Sequence, residues 1–456
     1  MSLIRFDNVT KRFAGVPVLE SLSMQIEERE KVGLIGRNGG GKSTIFRLMT
    51  GEIQPDEGNV ERMRRARIAC LRQLPDVPSD TALWDIALRP FADLMAMEAE
   101  LRGLEERMAA GEDVVVDSYG TLQERFTIAG GYEYRANARR VLTGLGFNDS
   151  EFELPFNALS GGQRTRLMLA LVLLEDADLL LLDEPENHLD ISAREWLEAF
   201  LKSWPRSFVI ISHDREMLNA VPECILELDD GAVKRYAGNY DAFVEAKALA
   251  IDQQQKAFTR QQEFIRREEA WINRFRYKNT KAKAVQSRVK RLNKLDRVEE
   301  PTQRSNAPRF NLGEVVRTGE MVLTVEDLTM GYDSLPLYAG VSFEVERGER
   351  IGIIGPNGSG KTTFLRHLMG TLSEGRGTVR LGHKVMLGYY DQQHSSLNES
   401  NDIFSEVQAV APSMQPVELR KFLGRFLFTG DDVFKTIRTL SGGERSRVAL
   451  AKLVLD

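Results

Sequence analysis

The sequence of 456 residues carries one pattern twice, and any fold it adopts must accommodate both copies. VGLIGRNGGGKSTIFRLMTG at 32–51 returns as IGIIGPNGSGKTTFLRHLMG at 351–370, and LSGGQ at Leu159–Gln163 returns as LSGGE at Leu440–Glu444. Phe13 and Tyr332 each stand 29 residues before the lysines Lys42 and Lys361, while Gln73 and Gln392 each stand 31 residues after them. Equal spacing of several features marks a duplicated domain. One interval differs: from loop lysine to signature serine is 118 residues in the first copy and 80 in the second, so the first carries about 38 extra residues.

The extra residues fall between about Leu94 and Ile128. Leu94, Met97, Leu101, Leu104 and Met108 keep a helical rhythm that stops at Gly111 and resumes at Tyr119, Leu122 and Phe126. This spacing predicts a helical hairpin at about 90–130, either a projecting arm or a helix pair packed on the domain. Between the copies, residues 246–318 are polar and end with Pro301 and Pro308, which predicts a long helical linker. Within it, Trp271 to Arg297 holds Arg274, Arg276, Lys278, Lys281, Lys283, Arg288, Lys290, Arg291, Lys294 and Arg297 against the single acid Asp296, although the whole chain has a net charge of −6. Such a run is either a solvated helix or a surface for a polyanion. The expected organisation is α/β, with nucleotide-binding domains at 1–245 and 319–456 around that linker.

Charges at Arg5, Asp7 and Lys11 leave no apolar signal core at the N-terminus, so a cytoplasmic protein is expected. The greasiest run, the leucines from Leu179 to Leu182 between Asp178 and Asp183, falls far short of the roughly 20 apolar residues of a membrane span. Cys70 and Cys224 are too far apart for a metal cluster and are expected to serve packing.

Gly36-Arg37-Asn38-Gly39-Gly40-Gly41-Lys42-Ser43-Thr44 follows an apolar strand and opens a helix, the setting in which G-x-x-x-x-G-K-[ST] binds phosphate. Its glycines let backbone N–H groups wrap an anion, and the helix N-terminus adds partial positive charge. Lys42 is placed to reach the β- and γ-phosphates of ATP and the Ser43 hydroxyl to ligate Mg2+. Gly355-Pro356-Asn357-Gly358-Ser359-Gly360-Lys361-Thr362-Thr363 repeats the loop, with Lys361 and Thr362 in those places. The leucines from Leu179 to Leu182 end in Asp183 and Glu184, a buried strand whose carboxyl end meets the ligand. Asp183 is the expected magnesium ligand and Glu184 the expected base for the attacking water. A second apolar run, 207–211, ends in Ser212-His213-Asp214 and brings His213 to the γ-phosphate.

At these residues the chain resembles the ABC ATPase superfamily. The resemblance implies that ATP lies between the phosphate loop of one domain and the signature of the other. Lys42, Asp183, Glu184 and His213 would thus face Ser441, Gly442, Gly443 and Glu444, and Lys361 and Thr362 would face Ser160, Gly161, Gly162 and Gln163. It also implies that Phe13 and Tyr332 stack on adenine and that Gln73 and Gln392 reach the magnesium. More narrowly, the order of parts, Tyr236–Phe243 and the basic linker segment are similar to the ABC-F family. That likeness implies a translation factor at the ribosomal exit-tRNA site whose linker touches tRNA. A DNA-acting ABC ATPase and the motor of a membrane transporter are the alternatives. Two departures stand out. Glu186 occupies the place where the family usually has Thr, adding a carboxylate near the magnesium acids. The second copy's aspartate would fall at 464, beyond Asp456, so a second domain truncated at its C-terminus and a catalytically lopsided pair of sites are expected.

Overall fold

The computed structural model describes residues 2–37, 39–71, 77–110, 112, 116–275, 281–298, 318–332, 335–372, 375–391 and 397–455. They divide into one unit of 1–189 with 193–304 and another of 190–192 with 305–456.

In the first unit β1 (Ser2–Phe13) and β2 (Val16–Glu27) form a hairpin. Its two-residue turn, Ala14 at φ 49° and Gly15 at φ 83°, is left-handed at both positions, which matches the twist of the strands it joins. β3 (Lys31–Gly36) leads through the phosphate loop into α1 (Lys42–Thr50), after which β4 (Glu57–Arg62) pairs with β1 and β5 (Ile68–Cys70) enters a second sheet. Five helices follow: α2 (Leu83–Leu88), α3 (Ala92–Ala109), α4 (Val116–Ile128), α5 (Tyr134–Gly144) and α6 (Gly161–Leu174). The chain then alternates β6 (Leu179–Asp183), α7 (Ile191–Ser203), β7 (Ser207–Ile211), α8 (Arg215–Ala220), β8 (Cys224–Asp229) and β9 (Ala232–Ala237). The second sheet runs β5-β6-β7-β3-β8-β9, parallel until the antiparallel β9.

That sheet is covered on both faces, which explains its continuous apolar strands. On β6, Leu179 and Leu181 face the antiparallel sheet with Val32, Leu34 and Val209, while Leu180 and Leu182 face the helices with Phe208 and Ile210. All four leucines are fully buried. Cys224 is buried in the first of these layers, and burial, then the charge of Glu30, push its thiol up to about 12.

α3 and α4 pack against each other as a hairpin. Leu101, Leu104, Leu122 and Phe126 close the seam between α3 and α4, and that seam is continuous with the helical core. At its root Tyr134 Oη donates to Glu98 Oε2 at 2.6 Å and Arg135 Nη2 joins the same oxygen at 3.0 Å. These contacts hold Glu98 below the ordinary carboxylate range, the Tyr134 hydrogen bond most of all.

The linker helix α9 (Tyr240–Phe275) starts within the first domain and runs on without a break at residue 246. Phe243 packs in the domain core, and Lys247 pairs with the buried Glu227 of β8. α10 (Ala282–Asn293) packs back along α9. Arg288 Nη1 donates to both Glu268 oxygens at 2.8 and 2.9 Å, and its guanidinium lies 4.1 Å from the Trp271 ring centre. Arg291 covers Phe264 at 5.5 Å. Arg276 and Lys278 lie outside the described residues.

In the second unit β10 (Met321–Tyr332), β11 (Leu335–Glu346) and β12 (Arg376–Leu381) repeat the antiparallel sheet in the order β11-β10-β12, and α11 (Lys361–Leu368) follows the second phosphate loop. α12 (Ile403–Gln408), α13 (Pro416–Arg425) and α14 (Gly442–Leu455) enclose a core that includes Val407, Leu419, Leu423 and Val448. The buried Glu406 ties α12 to α14 through Lys452 Nζ at 2.6 Å. Residues 350–355, the counterpart of β3, pair with no strand among the described residues, and Ile351, Ile353 and Ile354 are exposed. In the first unit β7 and β8 flank β3, and no strand takes their place among the described residues here.

The Arg288 contacts predict that Arg288→Ala loosens the α9–α10 hairpin by about 1 kcal/mol, since the pair is partly exposed and solvent screens it. Limited proteolysis should cut α10 faster in the variant, and Arg288→Lys should restore only part of the protection because an ammonium lacks the planar guanidinium that lies over Trp271.

Candidate active site

The phosphate loop of the first unit is shaped by glycine at two places. Gly41 sits at φ 102°, where a Cβ would also lie 2.8 Å from Val18 Cγ1, and a Cβ on Gly36 would meet the Leu228 carbonyl oxygen at 2.6 Å. No side chain caps α1, so its first-turn N–H groups face the loop. Lys42 is buried, and its Nζ donates to the Gly36 and Arg37 carbonyls at 2.8 and 3.1 Å. Burial lowers its pKa, opposed by the nearby charges of Glu184 and Asp183. Asn38 and Gln73 lie outside the described residues.

The strand ends supply the rest. Ser43 Oγ donates to Asp183 Oδ2 at 3.0 Å, which joins the start of α1 to the end of β6. Glu184 turns into the left-handed region at φ 48° while its N–H donates to the Ile211 carbonyl at 2.8 Å. A non-glycine residue held there is strained, and such strain clusters at functional sites. Its Oε2 accepts from Asn187 Nδ2 at 2.8 Å and its Oε1 lies 3.3 Å from His213 Nε2. The structure therefore brings together Lys42, Ser43, Asp183, Glu184 and His213. Ser43 and Asp183 offer two oxygens beside a phosphate-directed helix N-terminus, a donor set that suits magnesium, which prefers few protein oxygens plus phosphate and water.

Glu186 does not join Asp183 and Glu184. It is buried, and its Oε1 accepts from Ser212 Oγ at 2.5 Å and His213 N at 3.1 Å. The sequence does not reveal this, nor the Asn187 contact, because both arise from how the turn after β6 folds against the end of β7.

Phe13 ends β1, is 42% exposed, and carries Lys11 Nζ at 5.8 Å from its ring centre. The signature Ser160 caps α6 in a reciprocal box: its Oγ accepts from Gln163 N at 3.3 Å and its N–H donates to Gln163 Oε1 at 2.9 Å. A Cβ on Gly161 would meet nothing within 4 Å, so the packing of this unit does not demand glycine there.

In the second unit Lys361 Nζ donates to the Gly355 and Pro356 carbonyls at 2.7 and 2.6 Å, and Gly358 and Gly360 hold φ of 83° and 86°. Thr362 and Thr363 open α11. Gln392 and the side chain of Tyr332 lie outside the described residues. Ser441 Oγ donates to Glu444 Oε2 at 2.6 Å and Ser441 N donates to the same oxygen at 2.9 Å. Burial presses Glu444 upward, but these two hydrogen bonds, with the charges of Lys435 and Arg447, hold the carboxyl below its ordinary value.

Burial raises the pKa of Asp183, against the Ser43 hydrogen bond. A carboxyl raised on folding costs nothing below its unfolded value, where both states are protonated, and costs stability as pH rises through its folded value. Asp183→Asn should therefore raise the melting temperature at pH 7 relative to the unsubstituted chain. The gain should vanish near pH 3.5, below the unfolded value of about 3.9.

A family model described as ABC transporter matches residues 19–187 and 338–456, and another of the same description matches 226–312. "Putative ATP-binding protein YdiF" of Bacillus subtilis (strain 168) is 36% identical over 461 residues, covering 100% of this chain and 72% of that protein. "Uncharacterized ABC transporter ATP-binding protein YfmM" of the same organism is 32% identical over 458 residues, covering 100% and 88%. "ABC transporter F family member 2" of Arabidopsis thaliana is 31% identical over 463 residues, covering 99% and 68%. No helix among the described residues is long and apolar enough to cross a membrane. The chain belongs to the ABC ATPases and, among them, to the ABC-F family.

Proposed function

We propose that this protein binds ATP with magnesium, hydrolyses it to ADP and phosphate, and uses the nucleotide state to engage the ribosome. The observation that carries the enzymatic part is the convergence of Lys42, the Ser43–Asp183 pair and the Glu184–His213 pair at the carboxyl ends of neighbouring parallel strands. The loop N–H groups and Lys42 bind the phosphates. Magnesium, held by Ser43 and Asp183 and, as the family resemblance implies, by Gln73, would neutralise charge on the phosphate oxygens. Glu184, fastened by Asn187, orients the attacking water and accepts its proton, while His213 contacts the γ-phosphate. In the second loop Lys361, Thr362 and Gln392 take the corresponding roles.

Both signatures, Ser441, Gly442, Gly443 and Glu444 and Ser160, Gly161, Gly162 and Gln163, bind ATP phosphate in this reading. Two observations support this reading. Each signature opens a helix, whose N-terminus attracts phosphate. A Cβ on Gly161 or Gly442 would meet nothing within 4 Å, so close approach by a ligand accounts for glycine better than internal packing does. Phe13 and Tyr332 stack on adenine.

The partner reading rests on the family and on the basic hairpin. Lys281, Lys290, Arg291, Lys294 and Arg297 are exposed along α10 and its flanks, a footprint for RNA phosphates at the exit-tRNA site and on the neighbouring tRNA.

Glu184→Gln should bind ATP normally but lose roughly 10² to 10⁴ of kcat at the first site, with the second site silenced by Lys361→Ala. Wild-type turnover in a single-turnover assay would reject Glu184 as the base.

The ATP-locked Glu184→Gln protein should sediment with ribosomes. Neutralising Lys281, Lys290 and Lys294 should weaken that binding and flatten the log–log salt slope by about 0.7 to 0.9 for each phosphate that the hairpin no longer neutralises. Equal affinity for ribosomes and bare duplex DNA would favour a DNA-acting ATPase, and unchanged ribosome affinity would mark α10 as a solvated helix.

A further inference from the structure

Glu186 is a buried carboxylate beside the active site for which hydrolysis, as described, has no use. It is 8% exposed, and while Oε1 accepts from Ser212 Oγ at 2.5 Å and His213 N at 3.1 Å, the buried Oε2 has no hydrogen-bond partner among the described residues. Leaving one oxygen of a buried carboxylate unpaired is costly, so stability alone does not explain the residue.

The local geometry supplies another reason. The β6–β7 ladder ends with Asp183 opposite Ile211, so the N–H groups of His213 and Asp214 have no strand to pair with. Glu186 Oε1 takes the first, and the Ser212 hydroxyl, itself donating to Glu186, accepts the second at 2.9 Å. The imidazole that this backbone carries lies 3.3 Å from Glu184 Oε1, and only Pro185 separates Glu184 from Glu186. One short turn therefore places the carboxylate that faces the reaction and fastens the segment that carries its histidine.

We propose that Glu186 is a positioning residue that sets His213 against Glu184 and the γ-phosphate by clamping the Ser212–His213 backbone. The proposal rests on the active-site reading above. Side-chain geometry is the operative property: Gln at 186 keeps an oxygen for both donors, whereas Ala leaves them unpaired and frees the segment.

The test measures ATP turnover in the Lys361→Ala background, so that only the first site reports. Glu186→Ala should lower kcat about 10-fold to 100-fold, the scale of a misplaced catalytic group, with KM for ATP within about twofold. Glu186→Gln should restore kcat to within about threefold. In a His213→Ala background, Glu186→Ala should have no further effect on kcat, because the group it positions is gone. A structural role would instead lower turnover by the same factor in both backgrounds. That additive result, or wild-type kcat in Glu186→Ala, overturns the proposal while leaving the active-site reading intact. Wild-type kcat in His213→Ala overturns both. Should Glu186→Ala fail to fold, Ser212→Ala reads the same clamp: lower kcat at constant KM that is non-additive with His213→Ala supports it, and wild-type kcat rejects it.

Discussion

The parallel pairing of β6 with β7, Asp183 opposite Ile211, is the constraint on which the candidate active site depends. β3 pairs with the other edge of β7, so the three strands point their carboxyl ends the same way. The phosphate loop, the two acids and the histidine segment must then emerge at one rim. The N–H of Glu184 extends the ladder by one more bond to Ile211 before the chain reverses at φ 48°. That reversal aims the Glu184 carboxylate at Asn187 and His213 instead of continuing the strand into solvent. Slipping the register by one residue would exchange the faces of β6, placing Leu180 and Leu182 where Leu179 and Leu181 now pack.

Stability and function pull against each other at this rim. The leucines of β6 are buried on both faces and supply the hydrophobic free energy that anchors the sheet. The residues immediately after them oppose it: Asp183 has its pKa raised by burial, Glu184 sits in a strained backbone and Glu186 has an oxygen without a partner among the described residues. Burial of all four leucines offsets the cost of such a terminus.

Much of this could be read in the sequence because the informative contacts are local or repeated. The phosphate loops, the leucine strand and the Ser212–Asp214 segment announce themselves by motif and by apolar runs. The hairpin of α3 and α4 follows from the spacing of Leu101, Leu104, Leu122 and Phe126, all of which close its seam. What stayed hidden depends on distant pairing. Arg288 counts as one more charge in a basic run, yet it folds onto Glu268 and Trp271, 20 and 17 residues earlier in the chain. Glu186 reads as a third acid near magnesium, and only the closure of residue 186 against 212 and 213 turns it away.

The two signatures show how one substitution changes the chemistry of a shared motif. Both serines cap a helix, and both sit three residues before a side chain that reaches back. With Gln163 as partner, the Ser160 hydroxyl oxygen accepts from the Gln163 N–H, and its own proton has no acceptor among the described residues. With Glu444, the Ser441 hydroxyl donates its proton to the carboxylate at 2.6 Å. A hydroxyl that has given its proton to a carboxylate offers a phosphate less, and the carboxylate adds negative charge within the same turn. Repetition of sequence thus does not make the two signatures equal: the first presents a neutral cap and the second a charged one. The asymmetry is written at Gln163 and Glu444, within the most nearly identical stretch of the repeat.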